Sequence, residues 1–369
     1  MCDIILLVYD QPEYTRACIE SILKDSEYPC RLIIVDNGSK ELKTRQYLER
    51  VAAENPGRVR VLRNEQNQGY VGAVNQGFAA TDKEFVCVLS NDTVAYPGWL
   101  SEMVRVAHSD PAIGVVNPLW ELPKNFRGTR DDYAERVARS RAGRFIETDW
   151  CRGFCFLVKR AVLDKIKGLD ESFAPAYYDD WDFSLRAIRA GFICVRALGA
   201  FVWHHKNVTY GLEYGAELNA KIAEKGKVFC ARWGSPQRLL VVDSGGDPAA
   251  ERPMGKFILG LMRDQNKVTL VRSGHSGAPR HTSLCVRSCP AGLVGLCALA
   301  VLLNNLRHGM LKRFDRIYCS GRTARFLKAF PFIANSYPVA ELEAGLDDVE
   351  GLLEQSRRWS KKPCVKNRG

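Results

Sequence analysis

The chain has 369 residues, of which 46% are hydrophobic and 26% are charged, a balance typical of a globular protein with two domains. This composition excludes collagen-like, coiled-coil and disordered proteins. The longest apolar run, Ala291–Leu303, is shorter than the roughly 20 residues that span a bilayer. Because Met1–Tyr9 also lacks the basic start of a secretory signal, we expect a cytoplasmic protein.

The net charge of +11 lies almost entirely in the C-terminal third of the chain. Residues 236–369 have 21 Lys and Arg against 11 Asp and Glu, whereas residues 1–235 are nearly balanced. A basic surface favours an anionic partner, so we expect peripheral contact with an anionic membrane face or a lipid-linked diphosphate. No arginine-rich run points to a specific nucleic acid. A solvated basic surface without a partner stays open as an alternative.

Short apolar runs alternate with amphipathic stretches through the first 120 residues. Ile4–Val8 and Phe85–Leu89 are uninterrupted apolar runs, as buried parallel strands are, and Arg31–Val35 is a further strand. Helices are predicted between the strands, one beginning at Pro12 and another over Tyr70–Ala80. This alternation predicts an α/β domain in which helices cover both faces of a parallel sheet.

Polar residues follow three of these strands directly. Asp10 follows the first strand, Asp36–Ser39 ends the second, and Asn91-Asp92 follows the third. Ligands bind open α/β sheets in the crevice beyond the carboxyl ends of the strands. Each polar group alone is also a good turn former. Three such groups at successive strand ends favour a binding site.

Carboxylates crowd a later segment, Tyr177–Asp182, which has three Asp in four positions before a helix predicted over Asp182–Ala190. Like charges this close repel unless a cation, a helix N-terminus or a catalytic use offsets them. Capping of the helix by Asp179 or Asp180 explains one carboxylate and leaves the others unexplained. His204 follows the final strand of this domain and is a candidate metal ligand.

The turn-forming segment Gly234–Pro236 predicts a domain boundary. We therefore predict a first domain over residues 1–235, a smaller Rossmann-like α/β domain over 236–340, and a helical, basic tail over 341–369. Strands are predicted in the second domain at Arg238–Val242, Lys267–Val271 and Arg316–Cys319, with helices between them.

Several segments over roughly residues 3–210 resemble glycosyltransferase family 2, inverting enzymes of the GT-A fold, and most closely the bacterial rhamnosyl- and galactofuranosyl-type transferases of cell-surface polysaccharides. Each segment alone is weak, but the ordered set is specific. The segments are Ile5–Glu13, Ile33–Ser39, Asn67–Gly77, Leu89–Thr93, Gly168–Phe173 and Tyr178–Arg186 with Gly191-Phe192.

The resemblance implies a nucleotide-sugar donor with UDP or dTDP. Asp36 would accept a hydrogen bond from uracil or thymine N3–H, and the chain around Tyr9 would border the base. The turn at Asn67, with Asn75, would support the ribose and the phosphates. The donor-binding residues that the resemblance implies are Val8, Tyr9, Asp10, Asp36, Asn67, Gly69, Asn75 and Asn91.

The resemblance also implies a divalent metal, Mg²⁺ or Mn²⁺, held by Asp92 and His204. Asn91-Asp92 stands where the family has a DxD motif, so this chain offers one acid in place of two. Asp180 aligns with the general base that accepts a proton from the acceptor hydroxyl. The acceptor, a glycan or lipid-linked glycan, would lie against Gly153, Trp181 and Asp179.

Two other readings stay open. A non-catalytic nucleotide- or glycan-binding protein on a degraded transferase fold is motivated by the incomplete DxD motif. A nucleotidyltransferase on a similar scaffold is a further hypothesis. The Gly-rich, Lys-containing phosphate loop expected of such an enzyme near the N-terminus is missing from this sequence. The second domain weakly resembles the first half of a GT-B fold, which would make it a remnant or part of acceptor docking.

Overall fold

The computed structural model contains two compact units, Met1–Phe229 and Cys230–Gly369, which divide a few residues before the predicted boundary after residue 235. The structure describes residues 1–25, 27–205, 217–243, 248–274, 278–290, 292–307, 313–342 and 348–360.

Strands and helices alternate in the first half of the first unit. They are β1 (Cys2–Val8), α1 (Pro12–Asp25), β2 (Cys30–Asp36), α2 (Leu42–Glu54), β3 (Val59–Arg63), α3 (Gly69–Ala79), β4 (Phe85–Ser90), β5 (Thr93–Ala95) and α4 (Trp99–Ser109). Strand β1 lies between β2 and β4 and is parallel to both, and β3 extends this part of the sheet beyond β2. The prediction of a parallel sheet is therefore confirmed for β1 to β4.

The second half of this unit adds strands that run in both directions. Its elements are β6 (Ile113–Leu119), α5 (Arg130–Arg141), β7 (Phe145–Glu147), β8 (Cys155–Lys159), α6 (Arg160–Ile166), a 3₁₀ turn (Glu171–Phe173), α7 (Asp179–Arg189), β9 (Ile193–His204) and α8 (Leu218–Trp233), which crosses the division between units. The sheet order is β3-β2-β1-β4-β8-β6-β9-β5, with β7 on β9. Because β8 runs antiparallel to β4 and β6, the whole sheet is mixed.

Helices cover both faces of this sheet. Leu6 belongs to a buried cluster with Ile19 of α1 and Trp99 of α4. The neighbouring residue of β1, Ile5, faces α3, where a Cβ added to Gly77 would lie 2.4 Å from Ile5 Cγ2. Glycine at that position thus lets α3 approach the sheet closely. Alternate residues of one strand fill both layers, as a fully buried strand requires.

Helix α7 begins at Asp179, three residues before the predicted start, so all three crowded carboxylates lie in its first turn. The residue before the helix, Tyr178, has a left-handed φ of 65°, and no side chain caps the helix. The capping interpretation of Asp179 or Asp180 is therefore wrong. Tyr177 is left-handed as well, with a φ of 77°. Two consecutive bulky residues at positive φ strain the backbone next to the carboxylates.

The second unit is a five-stranded sheet with all strands parallel, in the order β12-β11-β10-β13-β14. Apolar side chains on its two faces form separate buried clusters, so the predicted Rossmann-like α/β architecture is confirmed. Its elements are β10 (Arg238–Asp243), α9 (Pro248–Arg263), β11 (Lys267–Ser273), β12 (Leu284–Cys289), α10 (Val294–Arg307), β13 (Arg316–Ser320), α11 (Gly321–Lys328), α12 (Pro331–Ala334), β14 (Val339–Leu342) and α13 (Val349–Ser360).

Part of the predicted tail over 341–369 is structured, because β14 ends in it and α13 lies within it, while residues 361–369 lie outside the described residues. None of the helices in the described ranges is both long enough and apolar enough to cross a membrane.

Replacing Leu6 by Ala tests the central position of β1. Leu6 is fully buried, and a buried Leu→Ala substitution lowers the free energy of unfolding by about 2–5 kcal/mol. Leu42→Ala is the matched control, because the Leu42 side chain is 59% exposed and surface substitutions change stability by about 0.5 kcal/mol or less. Urea unfolding followed by tryptophan fluorescence measures both. Equal losses for the two variants would contradict the central role of β1.

Candidate active site

A cleft of about 770 Å³ opens at the carboxyl ends of β1 and β4. Its walls come from the segments after β1, β2 and β4, the segment 150–154 before β8, the start of α7 and the end of β9. The structure brings together in it eleven of the predicted site residues: Val8, Tyr9, Asn67, Gly69, Asn91, Asp92, Gly153, Asp179, Asp180, Trp181 and His204.

Three predicted donor-binding residues do not line the cleft. Asp10 is held by the neighbouring loop, because its Oδ1 accepts the N–H groups of Lys40 and Glu41, each at 2.8 Å. Asn75 ties α3 to a later loop, donating to the Leu169 carbonyl at 3.0 Å and accepting from the Leu169 N–H at 2.8 Å. Direct contact of Asp10 and Asn75 with the nucleotide-sugar donor stays a prediction, and the hydrogen bonds of these residues in this structure do not favour it.

Asp36 is the third, and it is completely buried at the end of β2. Its Oδ1 accepts the Ser39 N–H at 2.9 Å, and its Oδ2 lies 3.2 Å from the Arg63 guanidinium. Oδ2 has no hydrogen-bond partner of good geometry. Because Oδ2 is buried beside Arg63, recognition of a base by Asp36 stays a prediction that its burial in this structure does not favour.

Asn37 is a cleft residue whose role the sequence did not reveal. Its Nδ2 donates to Asn67 Oδ1 at 2.8 Å and to the Gly69 carbonyl at 3.1 Å, while its Oδ1 accepts the Gln68 N–H at 2.9 Å. These bonds fix the turn before α3 against the end of β2. In the sequence Asn37 is only one member of a turn, so its partners could not be read from spacing.

Asp180 is positioned through both of its carboxylate oxygens. Oδ2 accepts the Gly153 N–H at 2.8 Å, and Oδ1 accepts the N–H of Trp181 at 2.7 Å. Burial raises the pKa of Asp180 above the usual value for an aspartate, while the Gly153 N–H and the charge of Arg152 act in the opposite direction. A Cβ on Gly153 would lie 2.9 Å from Tyr70 Oη and 3.3 Å from Asp180 Cβ, so a larger residue would require the Tyr70 hydroxyl to shift.

The other two crowded carboxylates have different environments. Asp179 is 4% exposed, and burial together with the charge of Asp180 raises its pKa well above the usual value. Asp182 is fully buried and forms an ion pair with Arg186 at 2.7 Å. Asp180 is therefore the carboxylate of this turn best suited to ionise and face the cleft.

Asp92 and His204 lie side by side in the cleft, with Asp92 Oδ2 3.3 Å from His204 Nε2. Antiparallel pairing of β5 with β9 places them together, since Thr93 is opposite His204. The His204 ring stacks on Phe154 with 4.5 Å between centroids. Asn91 donates its amide nitrogen to Thr15 Oγ1 at 2.9 Å, so that nitrogen faces the protein.

Within the described ranges, no three His, Cys, Asp or Glu side chains form a group that could hold a metal ion. Asp92 and His204 supply two ligands of suitable type. Mg²⁺ is usually held in proteins by one or two carboxylates together with substrate phosphates and water. The pair fits a divalent cation that completes its coordination with a bound diphosphate.

Stacked aromatic rings form the wall beside Asp180. Trp150 and Trp181 are nearly parallel, with 4.5 Å between centroids, and Tyr178 continues the stack at 6.3 Å from Trp181. The Arg152 guanidinium carbon lies 3.4 Å from the centroid of the Trp150 ring. Trp181 was predicted from the sequence, whereas Trp150 and Arg152 were not, although both lie just before Gly153 in the chain.

Residues 3–167 match the family model described as glycosyl transferase family 2. The chain is 28% identical over 251 residues to the uncharacterized protein y4gI of Sinorhizobium fredii, covering 63% of this chain and 27% of that protein. The chain thus spans about a quarter of the length of this relative.

Two further comparisons concern proteins with named activities. The N-acetylglucosaminyl-diphospho-decaprenol L-rhamnosyltransferase of Mycobacterium tuberculosis is 24% identical over 255 residues, 59% of this chain and 80% of that enzyme. The solved structure of the mannosyltransferase PcManGT from Pyrobaculum calidifontis with GDP-Man and Mn²⁺ superposes with a TM-score of 0.50 and 15% identity, covering 98% of this chain and 88% of that one. The resemblance stated from the sequence is confirmed. The first unit has the GT-A fold, and residues 3–167 within it are similar to glycosyl transferase family 2.

Proposed function

We propose that this protein is an inverting glycosyltransferase that moves a sugar from a UDP- or dTDP-sugar to a hydroxyl of a glycan or lipid-linked acceptor. One observation carries the proposal: Asp180 and the Asp92–His204 pair line the same cleft. A relative named for transfer of rhamnose to a diphosphate-linked lipid supports a similar acceptor class. A structural neighbour solved with GDP-Man and Mn²⁺ supports a nucleotide-sugar donor and a divalent cation.

Asp180 accepts the proton of the attacking acceptor hydroxyl in this mechanism. The acceptor oxygen forms its bond to the anomeric carbon while the bond from that carbon to the donor phosphate breaks, so the configuration inverts. The nucleoside diphosphate leaves with the electron pair. Hydrogen bonds from the Gly153 and Trp181 N–H groups hold the Asp180 carboxylate in one orientation throughout.

Asp92 and His204 would hold Mg²⁺ or Mn²⁺, which supplies positive charge to offset the charge that develops on the leaving diphosphate. The Asn37 network keeps the turn at Asn67 and Gly69 in place beside the cleft. In this proposal Asp92 and His204 lie at the donor end of the cavity, and Asp180 lies at the end that accepts the proton.

Replacing Asp180 by Asn tests the proton acceptor. The Asn side chain keeps the shape and one oxygen, so donor affinity should change little, while kcat should fall by about 10²–10⁴-fold because no base remains. Transfer to an acceptor and calorimetric donor titration measure the two quantities. Asp164→Asn is the control, since Asp164 is an exposed residue of α6. Turnover of D180N close to that of the D164N control would show that another group accepts the proton.

Replacing Asp92 or His204 by Ala tests the metal pair. Each variant loses one of two protein ligands, so Mn²⁺-dependent affinity for the nucleoside diphosphate should fall by about 10-fold or more. Titration of UDP and dTDP with Mn²⁺ and with a chelator gives the comparison. In the variants the affinities measured with Mn²⁺ and with the chelator should become nearly equal. A full metal effect retained in both would exclude this pair as the metal site.

The pH dependence of kcat/KM tests the environment of Asp180. A base works only when deprotonated, and burial raises its pKa, so activity should be lost as the pH falls through a value above about 3.9, the ordinary Asp pKa. The charge of Arg152 lowers the pKa of Asp180. Arg152→Gln should therefore move this acidic limb to higher pH. A shift to lower pH would contradict the assignment of the limb to Asp180.

A non-catalytic nucleotide- or glycan-binding protein is the second candidate. It is favoured by the single acid of the Asn91-Asp92 segment, whose Asn nitrogen bonds to Thr15. Slow hydrolysis of the nucleotide sugar without an acceptor separates the two functions. A transferase releases free sugar in this assay, whereas a pure binding protein binds the donor and releases none.

A further inference from the structure

Two arginine side chains lie against tryptophan rings on the acceptor side of the cleft. Arg152 covers Trp150, and Arg196 of β9 lies over Trp120 with its guanidinium carbon 4.2 Å from the ring centroid. Arg152 and both tryptophans line the cleft. A guanidinium stacked flat on an aromatic ring keeps its N–H groups free at the edge, where they match the two oxygens of a carboxylate or phosphate.

The backbone brings the two arginines close together. Asn117 of β6 is paired in register with Arg196 on β9. Its side chain also holds Arg152, accepting the Arg152 N–H at 2.6 Å and donating to the Arg152 carbonyl at 3.1 Å. The backbones of both arginines therefore lie next to Asn117. The charge of Arg152 lowers the pKa of Arg196, as expected of neighbouring cations.

Neither guanidinium forms an ion pair or a hydrogen bond with any residue in the described part of the chain. The Nε atom of Arg196 is buried without a partner. Asp180 attracts the Arg152 guanidinium most strongly, and the carboxylates of Glu121 and Asp149 attract both guanidiniums. Partly buried cations without hydrogen-bond acceptors are costly, and burial lowers the pKa of both arginines.

We propose that Arg152 and Arg196 form an anion subsite that selects acceptors whose reacting sugar has an anionic group, a carboxylate or a phosphate ester. This inference rests on the proposed transferase function. Arg152 directly precedes Gly153, whose N–H binds Asp180, so the subsite adjoins the residue that receives the acceptor proton. Toward the donor end, the rings of Trp120 and Phe154 connect Arg196 to His204 by successive contacts, so two aromatic rings lie between the subsite and the metal pair.

Three matched acceptors test the subsite: a neutral n-octyl glycoside, the corresponding uronide, and the n-octyl glycosyl diphosphate of the same sugar. In the unaltered protein kcat/KM for one charged acceptor should exceed that for the neutral one at least tenfold. Arg152→Gln and Arg196→Gln should each reduce this ratio at least tenfold, mainly through KM. Arg152→Lys should recover part of it, since the charge is kept. The charged acceptor whose kcat/KM, relative to that of the neutral acceptor, falls more in the variants identifies carboxylate or phosphate as the preferred group.

Arg139→Gln is the matched control, because Arg139 lies on the surface of α5 with its side chain 80% exposed. Its acceptor ratio should equal that of the unaltered protein. Donor affinity, measured by calorimetric titration of UDP and dTDP, should change less than twofold in R152Q. An unchanged acceptor ratio, or donor binding weakened as much as acceptor KM, would overturn the subsite.

Binding separates failure of this inference from failure of the proposed function. If no donor and acceptor pair gives turnover, the transferase proposal fails, and calorimetric titration of the three octyl compounds still tests the subsite. Tighter binding of a charged compound that is lost in R152Q supports the subsite, and equal binding of all three overturns it. Thermal melting checks that each variant is folded, and R152Q alone decides if R196Q does not fold.

Discussion

The hydrogen bond from the Gly153 N–H to Asp180 joins the two parts of the cleft on which the chemistry depends. Gly153 lies just before β8, and Asp180 lies in the first turn of α7, so neither local sequence sets their distance. The approach also needs Tyr70 of α3, whose hydroxyl donates to the Gly153 carbonyl at 2.5 Å. A Cβ at residue 153 would crowd the Tyr70 hydroxyl and the Asp180 side chain. The Asp180 carboxylate is thus held in place by contacts between these elements.

Crowding of carboxylates at the start of α7 is resolved by giving each one a different environment. Asp182 is neutralised by Arg186, and burial raises the pKa of Asp179 well above the usual value. The helix N-terminus favours negative charge in this turn. Asp180 lines the cleft, and its carboxylate accepts the N–H groups of Gly153 and Trp181. Two left-handed residues before the helix, Tyr177 and Tyr178, set the direction from which it enters.

Local sequence predicted the parallel strands β1, β2 and β4 and four side chains that line the cleft, Asp92, Asp180, Trp181 and His204, because strand-end motifs and family order carry that information. It could not predict the mixed sheet, since the antiparallel pairings of β8 and β5 join segments distant in the chain. Asp10 and Asn75 were predicted as donor ligands but bond to neighbouring loops. Polar residues after strands serve turns as readily as ligands, and spacing does not separate the two uses.

Charge balance shows how a cleft that we propose for an anionic donor can contain so many acids. Asp92 and Asp180 alone would repel a nucleoside diphosphate, so cations must offset both ends of the cavity. At the donor end the Asp92–His204 pair suits a divalent cation, which reverses the local charge. At the other end Arg152 lowers the pKa of Asp180 without forming an ion pair with it. A direct ion pair would occupy the carboxylate oxygens, whereas a guanidinium held on Trp150 stabilises the charge and leaves Asp180 able to accept a proton.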